Sequence, residues 1–200
     1  MGKIFYLMGK SASGKDTLYG RLLARLPQLG TYVMYSTRPM RTGEQDGVSY
    51  NFVKPEMIDR AEADGRLIEK RVYETVYGPW IYATIDDGQI ELSEGSYLMT
   101  GTIESYLKLR EYYGAESIRP LYIEVDDGIR LMRAVERERR QKKPAYKELC
   151  RRFIADSEDF DDARLAEAGI DERYTNDDID RCTEQLAGVI EQELANGGIQ

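Results

Sequence analysis

The residues from Gly9 to Thr17 read GKSASGKDT, and this stretch decides the fold. An apolar run at residues 4–8 precedes it, and an amphipathic stretch at residues 17–23 follows it. Strand, glycine-containing turn and helix form the context in which a G-x-x-x-x-G-K loop binds phosphate through backbone N–H groups and the helix N-terminus. We therefore predict a triphosphate-binding loop. The alternative is a tight turn with a surface lysine, which the two flanking elements disfavour.

The lysine of this loop, Lys15, is expected to reach the β- and γ-phosphates. The next position usually holds Ser or Thr, whose hydroxyl binds Mg²⁺, but here it holds Asp16. A carboxylate is a hard oxygen ligand for Mg²⁺. We predict that Asp16 takes the place of the hydroxyl and binds Mg²⁺. The residues predicted to bind the triphosphate are Gly9, Lys10, Ser11, Ala12, Ser13, Gly14, Lys15, Asp16 and Thr17.

Length and composition are those of an ordinary globular protein. The 200 residues are enough for one domain with a full core. No apolar run approaches the ~20 residues that span a membrane, and residues 4–8 are too short for a signal peptide. The two cysteines, Cys150 and Cys182, have no metal-ligand spacing. We expect a reduced, cytoplasmic compartment and no membrane partner.

Charge is unevenly spread along the chain. The net charge of −8 predicts no nucleic-acid partner. Residues 130–152 hold ten Lys or Arg against three Asp or Glu, whereas residues 156–200 hold three against fourteen. The basic segment indicates a local polyanion, with a solvated helix face as the alternative. The chain has no histidine, which excludes an imidazole base, but phosphoryl transfer does not require one.

Predicted strands alternate with predicted helices, which indicates an α/β fold with a central parallel sheet covered on both faces. After the first helix, we predict strands at residues 31–35, 67–69, 97–100, 121–125 and near Tyr174. Helices are predicted at residues 55–65, 86–92, 103–113, 129–141, 146–160 and 179–194, with Asp126 and Asp127 capping the fourth of these. Residues 161–169 are interpreted as an acidic connection.

A second loop, residues 36–52, carries Arg38 and Arg41 beside Pro39. The forked donors of two arginines suit a phosphate held from two sides, and Tyr50 can add a hydroxyl. The alternative for each arginine is an ordinary surface residue.

The order of these motifs resembles the guanylate kinase family of nucleoside monophosphate kinases, from about residue 3 to about residue 194. The most specific similarity is T-R-x-x-R-x-G-E-x-x-G-x-x-Y-x-F at residues 37–52, which is similar to the family's monophosphate-binding loop. By that resemblance Arg38, Arg41 and Tyr50 hold the acceptor phosphate, and Glu69 accepts hydrogen bonds from the guanine edge. The acceptor-binding set that the resemblance implies is Ser36, Arg38, Arg41, Tyr50, Glu69, Tyr82 and Thr84.

Two assignments within this resemblance have competing matches. The segment from Tyr82 to Thr84 is similar to the family's Tyr-Gly-Thr, but Tyr77 followed by Gly78 also fits. In the basic segment, the arginines of the family's lid are matched by Arg137 and Arg152, while Arg133, Arg139 and Arg140 are alternatives to Arg137. Catalysis would then involve Lys15, Arg38, Arg137 and Arg152. Asn176 resembles a residue near the adenine side of the ATP site, and it also reads as part of a helix N-cap.

The chain departs from the family where the base is read. Met34 occupies a position that is usually Ser, and the strand around Thr100 lacks the usual acidic residues. These departures can relax or redirect the choice of acceptor. The Gly-Lys-Asp of the phosphate loop and Thr100-Gly101-Thr102 also look like ribose 1,5-bisphosphate phosphokinases. Those kinases lack the full Arg-x-x-Arg-x-Gly-Glu loop seen here, so they are the second candidate. A non-catalytic protein-binding module of the same fold is the third.

The resemblance implies a P-loop NTPase three-layer fold in a single domain, residues 1–200. The core is expected at residues 1–35, 93–136 and 149–200, with an acceptor-binding insert at 36–92 and a lid at 137–148. The implied reaction is phosphorylation of a nucleoside monophosphate, first of all GMP, with ATP as co-substrate and Mg²⁺ as cofactor. The expected assembly is a monomer or a homodimer.

Overall fold

The computed structural model describes residues 1–40, 43–75 and 78–197. Its core is a five-stranded parallel sheet in which β1 (Ile4–Gly9) lies in the middle, flanked by β7 (Tyr97–Gly101) and β8 (Ile118–Glu124). All six residues of β1 are buried. The strands, in spatial order, are β2 (Gly30–Thr31), β7 (Tyr97–Gly101), β1 (Ile4–Gly9), β8 (Ile118–Glu124) and β9 (Arg173–Thr175).

Side chains alternate along each strand, so the buried strand β1 presents apolar residues to both faces of the sheet. Helices cover both faces. Phe5 and Leu7 of β1 pack against α1 (Lys15–Arg25) and α7 (Ile179–Gly197). On the other face, Ile4, Tyr6 and Met8 pack against α3 (Ile103–Tyr113) and α6 (Asp162–Glu167). The predicted central parallel sheet is thereby confirmed.

A second, mixed sheet is formed by the chain between Tyr35 and Ile85. Its strands, in spatial order, are β4 (Asn51–Phe52), β3 (Tyr35–Ser36), β6 (Gly78–Ile85) and β5 (Leu67–Thr75). Strands β5 and β6 pair antiparallel, and α2 (Pro55–Ala63) buries Ile58 against this sheet. The remaining helices are α4 (Asp127–Arg139) and α5 (Tyr146–Asp159). As predicted, Asp126 caps α4, since its side chain accepts a hydrogen bond from the Ile129 N–H at 3.1 Å.

Three element predictions are wrong. Residues 31–35 do not form one strand, because β2 ends at Thr31 and joins the core sheet while β3 begins at Tyr35 and joins the second sheet. Residues 86–92 are not helical: Asp87 accepts a hydrogen bond from the Gln89 N–H at 3.1 Å, a local turn that competes with a helix. Residues 161–169 are more than a connection, since they contain α6, whose Leu165 is buried in the core.

Within residues 1–40, 43–75 and 78–197, no helix combines the length and apolar character needed to cross a membrane.

Candidate active site

The loop between β1 and α1 is held in its curled form by backbone geometry and by Asn176. Gly14 caps α1 in the left-handed region with φ +86°. A Cβ at Gly14 would lie 2.4 Å from Asn176 Nδ2, so glycine is required there. The same Nδ2 donates a hydrogen bond to the Ser13 carbonyl at 2.7 Å. The structure thus places the predicted Asn176 on the loop backbone itself.

The polar groups of the loop suit an anionic ligand. The Ser13 hydroxyl is buried and has no hydrogen-bond partner among the described residues. Lys15 Nζ lies 3.1 Å from Asp16 Oδ1, and the Asp16 side chain is 90% exposed. The described part of the chain contains no group of three or more His, Cys, Asp or Glu that could hold a metal ion. A single exposed carboxylate such as Asp16 fits the way in which Mg²⁺ commonly binds, through one carboxylate together with substrate phosphates and water.

A cavity of about 530 Å³ lies over the loop, and we call it the triphosphate cavity. Residues 9–17 line one side of it, and Gly101 and Thr102 line another. Of the arginines considered for the lid, Arg133, Arg137 and Arg152 line the cavity. The predicted pair Arg137 and Arg152 is therefore brought to the loop, and Arg133 joins it.

Sequence reasoning missed a charge cluster under this cavity. Asp156 Oδ2 accepts a hydrogen bond from the Ser11 N–H at 2.7 Å. Arg130, only 1% exposed, donates to the Ser11 carbonyl at 3.0 Å and pairs with Asp127. Its guanidinium also lies 4.8 Å from the centre of the Phe153 ring. The Arg130 hydrogen bond lowers the pKa of Asp127. The only sequence signal was the i, i+3 spacing of Asp127 and Arg130.

The predicted acceptor arginine Arg38 is buried and oriented by its neighbours. Its Nη1 donates to Glu44 Oε2 at 2.7 Å, Nη2 donates to the other carboxylate oxygen, and Nε donates to the Tyr82 hydroxyl at 3.1 Å. The guanidinium lies 5.0 Å from the centre of the Tyr50 ring. Hydrogen bonding to Glu44 raises the pKa of Arg38, which therefore stays charged. Ser36, also buried, accepts the Arg38 N–H at 3.4 Å.

Two of the predicted residues fall outside the part of the chain that the structure describes. These are Arg41, within residues 41–42, and Tyr77, within residues 76–77. Tyr82, the competing match to Tyr77, lies on β6 and contacts Arg38.

Glu69 is buried in a polar network that joins the two sheets. Its Oε1 accepts hydrogen bonds from the hydroxyls of Thr84 and Ser105, each at 3.2 Å. Its Oε2 lies 3.3 Å from Nε of Arg71. Sequence reasoning found Glu69 and Thr84 but missed Arg71, although alternation along a strand places residues 69 and 71 on one face. The network extends to Tyr6, which has a hydrogen bond with Ser105 and whose pKa is raised by burial.

Gly101 and Tyr6 meet where the core sheet reaches this network. A Cβ at Gly101 would lie 2.0 Å from the Tyr6 hydroxyl. Only glycine fits at position 101 while Tyr6 keeps its place.

Comparison with known proteins agrees with this geometry. The family model described as guanylate kinase matches residues 1–92. The guanylate kinase of Parasynechococcus marenigrum is 30% identical, and the match covers 95% of this chain and 98% of that protein. The guanylate kinase of Salinibacter ruber is 27% identical over 96% of this chain and 97% of that protein.

Other matches are shorter or weaker in sequence. The guanylate kinase of Desulfotalea psychrophila is 36% identical over 95 residues, and the chain spans 45% of its length. A crystal structure of guanylate kinase from Anaplasma phagocytophilum superposes with a TM-score of 0.61 at 21% identity, covering 96% of this chain and 86% of that one. This structural match concerns the fold.

A glycine-rich loop at the end of the central strand, beneath an arginine-lined cavity, defines a P-loop nucleotide-binding protein. The full-length similarity then fixes the family. The chain belongs to the guanylate kinase family.

Proposed function

We propose that the protein transfers the γ-phosphoryl group of ATP to GMP, giving ADP and GDP. One observation carries the proposal. Thr102, at the start of α3, lines the triphosphate cavity and also a second cavity of about 660 Å³ against β5. The lining of the second cavity includes Arg71 and Tyr73, from the β5 face that carries Glu69, but none of the predicted acceptor-binding residues that the structure describes; we call it the acceptor cavity. The two cavities are therefore neighbours, as direct transfer between two bound substrates requires.

The residues divide into two groups by task. Lys15, Arg137 and Arg152 would neutralise the charge that develops on the transferring group. Arg38, Arg41 and Tyr50 would hold the acceptor phosphate in line with it. An oxygen of that phosphate forms the new bond to the γ-phosphorus while the bond to the β-phosphate oxygen breaks, so no side-chain nucleophile is needed.

Asp16 is the residue that would hold Mg²⁺, with Thr17 beside it in the loop. The charge of Mg²⁺, when bound, offsets the negative charge of the β- and γ-phosphates. Asn176 supports the site indirectly, since it binds the loop through the Ser13 carbonyl.

We also infer the division of the chain into a core, an insert at residues 36–92 and a lid at residues 137–148. Closure of the lid over bound ATP would exclude water and prevent hydrolysis. Neither cysteine forms a disulfide, in keeping with a cytoplasmic location.

A coupled assay of ADP release from Mg-ATP tests the proposal. GMP, dGMP, AMP, UMP, CMP and ribose 1,5-bisphosphate are compared as acceptors. We expect turnover with GMP. Turnover with ribose 1,5-bisphosphate alone would replace the proposal with the sugar kinase alternative.

Thermal unfolding separates an enzyme from a binding module without turnover. A ligand at ~100 times its Kd adds ~2.7 kcal/mol to the free energy of unfolding, so Mg-ATP and GMP should each raise Tm. A module without nucleotide sites would show no shift with either.

A further inference from the structure

One face of β5 and β6 carries the predicted acceptor-binding residues. Alternation along β5 puts Glu69, Arg71 and Tyr73 on the same side. Across the hairpin, Glu69 pairs with Thr84 and Arg71 pairs with Tyr82. Arg71 and Tyr73 line the acceptor cavity. Arg71 therefore lies on the strand face that carries the predicted acceptor-binding residues Glu69, Tyr82 and Thr84.

Arg71 and two hydroxyls take up most of the hydrogen-bonding capacity of Glu69. A carboxylate has about four lone-pair sites. Thr84, Ser105 and Nη2 of Arg71 all donate to Oε1, and Nε of Arg71 lies 3.3 Å from Oε2, so the remaining capacity is on Oε2. About one site is left for a substrate. The edge of guanine offers two kinds of donor, the ring N1–H and the 2-amino group, and this carboxylate can serve only one of them.

We propose that Arg71 is a specificity-determining residue for the acceptor base, and that the acceptor class is the 6-oxopurine nucleoside monophosphates, with or without a 2-amino group. The inference rests on the proposed kinase function. The guanidinium donors of Arg71 suit the O6 and N7 acceptors of a 6-oxopurine. The free site on Glu69 suits N1–H. The 6-amino group of adenine would instead place its N–H donors against the N–H donors of Arg71.

The charges around the acceptor cavity favour a neutral base over a second phosphate. Arg71 is paired with Glu69, and Arg164 is paired with Asp159. Glu104 and Glu167 add negative charge to the lining. A sugar bisphosphate would therefore meet net repulsion at this end of the site.

Steady-state kinetics with GMP, IMP and AMP test the inference. The native protein should use GMP and IMP with kcat/KM values within about tenfold of each other, and AMP at least about 10³-fold less well. Arg71→Met removes the donors to O6 and N7 and should raise KM for GMP and IMP about tenfold or more. It also frees Oε2 of Glu69, so the ratio of GMP to IMP use should rise about tenfold. The Kd for ATP should not change.

Lys70→Met is the matched control. Lys70 is the neighbour of Arg71 on β5, but it pairs with Glu62 of α2 on the other side of the sheet. The control should leave the order of preference unchanged. Arg71→Lys is the second variant, to be used if the methionine variant does not fold, because it keeps a positive charge beside Glu69. It should raise KM for GMP and IMP about tenfold at nearly unchanged kcat.

Two results would overturn the inference while leaving the kinase function intact. One is a native preference for GMP over IMP above about 100-fold. The other is an Arg71 variant with native values of KM for both 6-oxopurines. Absence of turnover with every purine monophosphate would instead refute the proposed function, and the inference with it.

Discussion

The carboxylate of Asp156 is bound to the backbone N–H of Ser11 at 2.7 Å, inside the loop that is built to receive phosphate. The N–H groups of such a loop point toward the site of the anion. Asp156 therefore occupies a donor that the triphosphate would otherwise use. Arg152, four residues earlier on α5, lines the same cavity with the opposite charge. The helix thus brings both a competitor and a partner of the triphosphate to the loop.

Asp156→Asn should tighten the binding of ATP. The amide keeps the shape of the side chain but removes a negative charge beside the phosphates. We expect the Kd of a non-hydrolysable ATP analogue to fall about tenfold, or ~1.4 kcal/mol, by calorimetry. Glu158→Gln, an exposed position on the same helix, is the control and should leave Kd unchanged. Weaker binding by the Asp156 variant would instead show that this carboxylate supports the nucleotide.

Lys15→Ala should abolish turnover and leave the fold intact. The loop is held by its backbone and by Asn176, and the lysine contributes charge at the transferring group. We expect kcat to fall at least about 10³-fold, with circular dichroism and Tm close to native. Arg21→Ala, on the same helix but paired with Asp180, should keep native kcat. A Lys15 variant that does not fold would favour a structural role.

Arg38→Lys should impair the use of the acceptor alone. Four of the five N–H donors of Arg38 are used on Glu44, Tyr82 and the Pro39 carbonyl, which leaves one N–H on Nη2 for the acceptor phosphate. An ammonium group cannot reproduce that arrangement. We expect KM for GMP to rise about 100-fold while the Kd for ATP stays native, since a charge-assisted pair is worth ~3 kcal/mol at most. Equal losses for both substrates would place Arg38 outside the acceptor site.

Alkaline pH should destabilise the protein through its buried tyrosines. Burial raises the pKa of Tyr122 and of Tyr174 to about 12, above the ordinary value near 10. The unfolded chain then loses these protons first, so stability is complete below about pH 10 and is lost as pH rises through about 12. Denaturant titrations between these limits should show a falling free energy of unfolding.

Tyr122→Phe provides the matched comparison for this titration. Tyr122 stacks on Phe160 with ring centres 5.7 Å apart, and phenylalanine keeps that contact without the hydroxyl. The variant should show a shallower loss of stability with pH. An unchanged slope would assign the effect to other groups.

The sequence was sufficient for the elements that carry a local pattern. The phosphate loop between β1 and α1 and the helix Ile103–Tyr113 both follow from apolar periodicity and turn chemistry. The prediction of a helix at residues 86–92 was wrong. Ile90 and Leu92 are apolar, which favoured a buried helix, but a single side chain, that of Asp87, sets a turn there. The roles assigned to Arg38, Tyr50 and the lid arginines remain predictions.

The missed site residues have in common that their contacts are distant in the chain. Asp156 meets a residue 145 positions away, and Arg130 meets one 119 positions away. No local spacing predicts such contacts, because they depend on how α4 and α5 pack over the loop. Arg71 was within reach of a strand-face argument. Ser105 was not, because it belongs to α3 of the core and lies 36 positions from Glu69, to which it donates.

The close approach of Gly101 and Tyr6 constrains how this lineage can evolve. A larger residue can enter position 101 only if Tyr6 shrinks first, and a shorter Tyr6 leaves a hole beneath Ser105 and Glu69. If the two residues are exchanged one at a time, the intermediate protein has a core that is either overpacked or contains a cavity. We therefore expect the two positions to be energetically coupled at the edge of the triphosphate cavity that Gly101 lines, so that a joint exchange costs less stability than the sum of the two single exchanges.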